Sequence, residues 1–382
     1  MELRDNKVEV SELQYRLLYG LLRDCYEFQD NNADFVRYRT SLSGRIARRL
    51  RDKILLLAKR SGFVRRHFVI EEASEHLMYV LMNIDKLESL YHLLGDDYSK
   101  QLLIELLKFR ILGAKHVKLT LNGKDYWNKR ASIDRSFLKE RHTIRPQKGW
   151  YLNRYQLKAS NCPLNLHAHP LGILALFVLE QYAYLKGRRP IRARSGDIVL
   201  DGGSCWGDSA FYFADRVGAD GKVYCFEFVQ DNLEIFQQNI NLNLQLADRI
   251  KVIPKALWSR SGEMMPCCAN GPGTSLVQGN EEQPALQVPT LSIDDFVKEE
   301  KIARVDYIKM DIEGSELRAL QGAENTIRAF RPRLAISLYH KQEDFVVIPD
   351  YLHKLRLRYE FFLDHFSINR EETVLFANPM AN

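Results

Sequence analysis

Three side chains able to do acid–base chemistry follow two predicted strands in the carboxyl-terminal half. The strand from Val305 to Met310 leads into Asp311 and Glu313, and the strand from Arg333 to Tyr339 leads into His340. An alcohol is a poor nucleophile at neutral pH, so a neighbouring base has to accept its proton as a new bond forms. Imidazole titrates near neutral pH, which makes His340 the first candidate for that base. The alternative is a histidine that bonds the following helix.

Asp311 and Glu313 have interpretations beyond acid–base catalysis. Carboxylates two residues apart at a strand end could bind magnesium, which would orient a substrate and lower the pKa of its hydroxyl. Such metal sites usually need more oxygen ligands, so direct roles in binding a cofactor or an acceptor are favoured over a metal. Glu313 could also bond backbone N–H groups ahead of a helix that begins at Ser315.

A glycine-rich turn earlier in the chain predicts a nucleoside pocket. The apolar run from Ile198 to Leu200 is typical of a buried parallel strand, and the spacing Asp201-x-Gly203-x-x-x-Gly207 follows it. This spacing differs from the G-x-G-x-x-G pattern of dinucleotide-binding proteins, which disfavours an oxidoreductase. The carboxylate of Asp201 would attract a cationic ligand and repel a phosphate.

The next predicted strand, Val223 to Phe228, contains Glu227 near its carboxyl end. An acid at this position can accept hydrogen bonds from both hydroxyls of a ribose. Glu227 is therefore the predicted ribose ligand, and the ligand is predicted to be a nucleoside.

Strands and helices alternate from Ser195 onward, which predicts an α/β fold with a doubly wound, Rossmann-like sheet. The strands Tyr359 to Asp364 and Glu372 to Ala377 are expected to close this sheet as a hairpin. Helices are predicted from Leu171 to Leu185 and from Ser315 to Phe330. Ligands of such sheets bind outside the carboxyl ends of the strands, where all the acidic candidates and His340 are predicted to lie.

Residues 1–145 are predicted to form a separate, mainly helical domain. This domain is expected to serve substrate binding or homo-oligomerisation. A polar connector is predicted from Asn122 to Lys148. Residues 146–382 then form the α/β domain, with a pre-core segment at 146–194 and the Rossmann-like core at 195–382.

A basic cluster runs from Arg45 to Lys53. Its apolar residues recur at near-helical spacing, so it reads as the solvated face of a helix or as a contact for an acidic partner. Interleaved aromatic residues and zinc-binding spacings are absent from this cluster, which makes nucleic acid an unlikely partner.

Composition favours a cytoplasmic protein. The 382 residues carry a formal net charge of +6, and the six cysteines show no spacing typical of disulfides or metal sites. The longest apolar run, Leu171 to Leu179, is too short to span a membrane.

The most specific segment, VDYIKMDIEGSELRALQGA at 305–323, closely resembles the FkbM family of S-adenosylmethionine-dependent methyltransferases. Members of that family carry an IK-hydrophobic-D-hydrophobic-EG-x-E pattern after this strand. The glycine turn also resembles the first motif of class I methyltransferases, although Ser204 and Cys205 stand where family chains often carry Ala-Asn. The resemblance covers about residues 150–378.

The resemblance implies a class I methyltransferase that uses S-adenosylmethionine to methylate a hydroxyl of a sugar, glycan or secondary metabolite. The cofactor-binding residues are expected to be Asp201, Gly203, Ser204, Gly207, Glu227, Phe228, Ala256 and Asp311. The expected catalytic residues are His340, Asp311 and Glu313, with magnesium at the two carboxylates as the weaker alternative.

Two other functions stay open. A methyltransferase acting on nucleic acid or protein would give the basic cluster a role and would bind with a steep dependence on salt. A non-catalytic, methyltransferase-like scaffold would act through the helical domain. Retention of the glycine turn and of Glu227 argues against the scaffold.

Overall fold

Helices form the amino-terminal part of the computed structural model, which describes residues 11–24, 75–146, 150–158, 163–268, 273–276 and 286–380. The helices here are α1 (Glu12–Asp24), residues 75–82, α2 (Ile84–Leu93), α3 (Asp97–Leu112) and α4 (Lys124–Phe137). A small antiparallel sheet follows, made of β1 (Leu138–Ile144), β2 (Leu152–Leu157) and β3 (Leu164–Ala168). The basic cluster from Arg45 to Lys53 lies outside the described residues.

The prediction of a polar connector from Asn122 to Lys148 is wrong, because α4 and β1 occupy most of it. Helix α4 buries only Tyr126 and Ile133, seven positions apart, and is otherwise polar. So narrow an apolar stripe produces little periodicity in the sequence. Its burial depends on the neighbouring strands and on the residues that follow them.

The main sheet has seven strands in the described part of the chain. In chain order they are β4 (Ile198–Gly202), β5 (Lys222–Phe226), β6 (Ile250–Ile253), then β11 (Tyr307–Met310), β12 (Arg333–Ser337), β13 (Tyr359–His365) and β14 (Thr373–Pro379). The spatial order is β13-β14-β12-β11-β4-β5-β6, with β14 antiparallel to both neighbours and the other pairings parallel. The predicted doubly wound sheet and its terminal hairpin are confirmed.

Helices cover this sheet and link its strands. They are α5 (Pro170–Gly172), α6 (Asp208–Val217), α7 (Gln230–Asn241), α8 (Leu244–Ala247), α9 (Ile293–Glu299), α10 (Glu316–Gln321), α11 (Glu324–Phe330) and α12 (Asp344–Lys354). A second, four-stranded sheet lies between β6 and α9 in the chain, built from β7 (Ala256–Leu257), β8 (Met264–Cys268), β9 (Ser275–Leu276) and β10 (Leu286–Leu291).

Two predicted helices are interrupted. Only α5 and a π-helix over Ile173–Val178 form in the predicted helix from Leu171 to Leu185, because Glu180 adopts a φ of 55° beyond them. The predicted helix from Ser315 to Phe330 divides into α10 and α11 at Gly322. A Cβ at Gly322 would lie 2.2 Å from the carbonyl oxygen of Trp258, so the chain passes too close for any other residue.

Helix α12 is the helix expected after His340, but the sequence predictions gave no bounds for it. Pro349 lies inside it, and proline lacks the N–H that a helix interior requires. The buried face of α12, which includes Phe345, Ile348 and Leu352, nevertheless packs into the main core. Tertiary burial here outweighs the local preference of one residue.

The amino-terminal helices and the main sheet share one hydrophobic core. Leu103 of α3 and Ile308 of β11 belong to the same cluster of buried side chains. Backbone contacts also join the two parts: the Leu363 N–H of β13 donates to the Ser99 hydroxyl at 2.9 Å, and the Gly95 N–H donates to the Phe361 carbonyl at 2.8 Å. The domain boundary near residue 145 stays a prediction. Every helix among the described residues is too short or too polar to cross a bilayer.

Replacing Leu103 with alanine is expected to lower the free energy of unfolding by about 3 kcal/mol, because it leaves a cavity in this shared core. Urea unfolding followed by circular dichroism and by tryptophan fluorescence measures the change, and both signals should move together. Leu18→Ala, at a position that is 57% exposed on α1, is the control and should change the value by less than about 0.5 kcal/mol. A shift in only one signal would contradict the single core.

Candidate active site

The centre of the main sheet contains the point where the strand order reverses. From β4 the chain continues outward through β5 and β6, whereas β11 on its other side leads to β12. Ligands of open α/β sheets bind at the carboxyl ends of the strands beside such a point. Two turns meet there, one after β4 at residues 203–207 and one after β11 at residues 311–315.

Two glycines of the first turn are required by its backbone. Gly203 has a φ of +81°, and a Cβ there would lie 1.9 Å from the carbonyl oxygen of Asp311. Gly207 has a φ of +85°, and its Cβ would lie 2.3 Å from the ring of Phe236. The first glycine therefore lets the two turns touch, and the second begins helix α6.

A buried ion pair connects the two turns. The Lys309 ammonium of β11 lies 3.0 Å from Oδ1 of Asp201 and donates to the carbonyl oxygens of Gly202 and Gly203 at 2.9 and 2.8 Å. Burial alone would lower the pKa of Lys309, but the charges of Asp201 and Asp311 outweigh it and raise that pKa. Lys309 therefore stays charged and holds the glycine turn against β11.

The carboxylate of Asp201 makes its contacts inside the protein. Its Oδ2 accepts hydrogen bonds from the hydroxyls of Ser204 and Ser209 at 2.9 and 2.7 Å, and the side chain is 0% exposed. The expectation that Asp201 attracts a cationic ligand directly is not favoured by this geometry, because its charge is already matched by Lys309. Asp201 and Ser204 order the turn instead.

Glu227 follows β5 and is held by backbone groups. Its Oε1 accepts from the N–H groups of Phe228 and Val229, both at 2.7 Å, and its Oε2 accepts from the Asn232 amide at 3.2 Å. Burial raises the pKa of Glu227 in spite of these bonds. A small cavity beside it is lined by Phe228, Ala256 and Gly203. An anchored acid with apolar neighbours suits a nucleoside.

Asp311 lies between two tyrosine hydroxyls. Tyr182 donates to its Oδ2 and Tyr339 donates to its Oδ1, each at 2.8 Å. Burial would raise the pKa of Asp311, but the charges of His340 and Lys309 outweigh it and lower the pKa below its ordinary value. Asp311 is therefore a fixed anion and a weak base.

Carboxylates surround His340, which differs from the setting expected of a free base. Its Nδ1 lies 2.9 Å from Glu316, and its Nε2 lies 3.3 Å from Asp311 and 3.5 Å from Glu313. Burial alone would lower the pKa of His340, but Glu316 and Glu313 outweigh it and hold the pKa well above its ordinary range. The imidazole is therefore protonated on both nitrogens at neutral pH. The geometry favours a positively charged His340 over the predicted base.

Glu313 has the most open position of these acids. Its side chain is 29% exposed, against 17% for Asp311 and 0% for Glu316. Burial raises the pKa of Glu313, and His340 offsets this only in part. Glu313 also lines both the small cavity beside Glu227 and the larger one described next.

Magnesium at Asp311 and Glu313 gains no support from this arrangement. Ligand atoms of Asp311, Glu316 and His340 lie within 4.8 Å of one another, which is close enough for a metal site. Magnesium, however, requires oxygen ligands in near-octahedral geometry, and a protonated imidazole cannot bind a metal. The imidazolium itself balances the carboxylates.

A larger cavity of about 740 Å³ opens beside this cluster. Trp206 and Tyr182 line it, together with Glu313 and His340. Tyr182 is 4% exposed and also belongs to a cluster of buried side chains. The buried Nε1 of Trp206 has no hydrogen-bond partner among the described residues, which leaves a donor for a ligand.

Sequence reasoning overlooked three residues of the site: Lys309, Glu316 and Tyr339. The first two belong to the motif quoted above, so its spacing contained a signal for both. Lys309 points back to the glycine turn and Glu316 to His340. Tyr339 had no comparable signal, because its contact with Asp311 depends on how β11 and β12 are paired.

Comparisons with known proteins agree with this geometry. Residues 191–361 match the sequence profile of the methyltransferase FkbM domain. The crystal structure of methyltransferase FkbM from Methylobacillus flagellatus KT has a TM-score of 0.50 and 21% identity, over 79% of this chain and 60% of that chain. No curated protein matches the chain.

Two further solved structures have lower TM-scores. One is a putative rRNA-methylase from Clostridium thermocellum, with 13% identity over 50% of this chain and 90% of that chain and a TM-score of 0.33. The other is Aeropyrum pernix fibrillarin with natively bound S-adenosyl-L-methionine, with 12% identity over 63% and 99% of the two chains and a TM-score of 0.32. Similarity at this level adds nothing to the assignment.

The sheet order and the two joined turns define a class I methyltransferase fold. Within that class, residues 191–361 are similar to the methyltransferase FkbM domain. The chain spans 60% of the length of the Methylobacillus protein.

Breaking one partner of the buried ion pair is expected to cost about 3–5 kcal/mol, because the other charge is left unmatched. Asp201→Asn and Lys309→Met should each show this loss in chemical denaturation. The double variant should lose less than the sum of the two.

The control is the exposed pair of Lys354 and Asp350, where Lys354→Met should change stability by less than about 1 kcal/mol. Additive losses in the double variant of Asp201 and Lys309 would show that the two groups are not coupled.

Proposed function

We propose that the protein is an S-adenosylmethionine-dependent O-methyltransferase that acts on a hydroxyl of a sugar, glycan or secondary metabolite in the cytoplasm. One observation carries the proposal: Glu313 lines both the small cavity beside Glu227 and the larger cavity beside His340. A cofactor in the first would meet an acceptor in the second at the acidic cluster.

The described residues suit this cofactor. Glu227 is positioned to accept the ribose hydroxyls, and Phe228 and Ala256 supply apolar walls for the adenine. Gly203 allows the close approach of the turn, and the unpartnered Nε1 of Trp206 offers a donor on the side of the larger cavity. S-adenosylmethionine supplies an electrophilic methyl group on a sulfonium.

Proton removal from the acceptor is assigned to Glu313. Its raised pKa makes it a better base than Asp311, and its side chain reaches the cavity. The His340 imidazolium lies 3.5 Å from Glu313 and would stabilise negative charge developing on the acceptor oxygen. Asp311 and Glu316 then act as positioning residues, because they hold the imidazole in place.

Methylation of nucleic acid is less well supported than methylation of a small acceptor. It depended on the basic cluster from Arg45 to Lys53, which lies outside the described residues. No feature of the described cavities favours it over a small acceptor.

Glu227→Gln is expected to weaken binding of S-adenosylmethionine and of S-adenosylhomocysteine by about tenfold or more, because a charged hydrogen-bond acceptor is lost. Glutamine keeps an oxygen for the N–H groups of Phe228 and Val229, so the turn should stay folded. Calorimetric titration measures both affinities, with NAD as a ligand that should not bind.

The matched control is Glu234→Gln on α7, an exposed acid bonded to Gln230. It should leave both affinities unchanged. If the wild-type chain binds neither sulfur ligand, the proposed cofactor is wrong; if Glu227→Gln binds as tightly as wild type, the ribose assignment is wrong.

The dependence of kcat on pH distinguishes Glu313 from His340 as the base. With Glu313 as base, activity falls as the pH drops through its raised pKa, and it falls again as the pH rises through the raised pKa of His340. With His340 as base, activity would instead increase through that upper pKa. Glu313→Gln should lower kcat by about a hundredfold or more and spare cofactor affinity.

A further inference from the structure

The larger cavity has a basic wall that the proposed chemistry does not use. Arg110 of α3 and Arg370 of the connection between β13 and β14 both line it, as do Glu313 and His340. The amino-terminal helices therefore contribute directly to the cavity in which an acceptor would bind.

The guanidinium of Arg110 packs against an aromatic ring. It lies 4.6 Å from the centroid of the Phe345 ring, and its buried Nη2 has no hydrogen-bond partner among the described residues. In the same part of the chain no carboxylate forms an ion pair with it. A buried guanidinium donor without an acceptor is costly, and a bound anion would satisfy it.

Charges of both signs act on Arg110. Burial lowers the pKa of Arg110 to about 10, and Arg370 contributes to the shift through repulsion, whereas Asp344 and Glu371 oppose it. Burial also raises the pKa of Asp344 to about 7, with Glu316 adding to the effect. Asp344 is therefore protonated more readily than an ordinary aspartate, which weakens its opposition to the charge of Arg110.

Asp344 also relates this wall to the catalytic cluster. It begins helix α12, next to Phe345, and its carboxylate accepts from the Lys341 N–H at 2.7 Å. Its pKa responds to both Glu316 and His340, and its charge acts on Arg110. The segment from Lys341 to Phe345 thus lies between the acidic cluster around His340 and the basic wall at Arg110.

We propose that Arg110 and Arg370 form a subsite for an anionic group of the acceptor, either a carboxylate or a phosphate. The inference rests on the proposed function and narrows it to hydroxylated acceptors that are acidic, with the hydroxyl at Glu313 and the anion at Arg110. It also gives the amino-terminal helices a role in substrate binding. Arginine suits both anions because its donors match their oxygens in pairs.

The test measures binding of two probe anions, acetate and inorganic phosphate, to the full-length protein by calorimetry at low ionic strength. Wild type should bind at least one of them, and the tighter one identifies the class of anion. Arg110→Gln and Arg370→Gln should each weaken that binding by about tenfold or more. Arg110→Lys should weaken it less, because it keeps the charge without the paired donors.

Arg318→Gln is the matched control, since Arg318 is exposed on α10 and does not line the cavity. It should leave anion binding unchanged. The subsite is overturned if wild type binds neither anion or if Arg110→Gln binds as tightly as wild type. If Arg110→Gln does not fold, the affinities of Arg370→Gln and Arg110→Lys test the subsite instead. A separate titration with S-adenosylhomocysteine tests the methyltransferase function, so a missing cofactor site and a missing anion subsite give different results.

Discussion

The buried pair of Asp201 and Lys309 is the interaction on which the site depends. An ammonium and a carboxylate 3.0 Å apart and removed from water attract each other strongly, but each loses its hydration when buried. The backbone carbonyls of Gly202 and Gly203 and the hydroxyls of Ser204 and Ser209 replace that hydration. The glycine turn is therefore shaped by the groups that satisfy the pair, and its position against β11 follows.

The acidic cluster at the end of β11 is a second consequence of that position. Asp311, Glu313 and Glu316 would repel one another in a buried site, and the His340 imidazolium provides the compensating charge. This explains why the most exposed carboxylate, not the imidazole, is suited to accept a proton. It also means that the charge state of the cluster is a property of four groups together.

The amino-terminal helices form one wall of the larger cavity. They share a core with the sheet, so Arg110 is held at a defined place beside Phe345. The walls of the cavity thus come from different parts of the chain that fold against each other.

The sequence by itself determined the alternating strands, the glycine turn, Glu227 and the acidic motif, because these depend on local periodicity and on residues close together in the chain. Only the tertiary structure decided the rest. Helix α12 forms around Pro349 because its face is buried, and the long predicted helix breaks at Gly322 because the backbone of Trp258 passes there. The proton on His340 and the open donor of Arg110 depend on groups distant in sequence, whose charges act on these two residues only after the chain has folded.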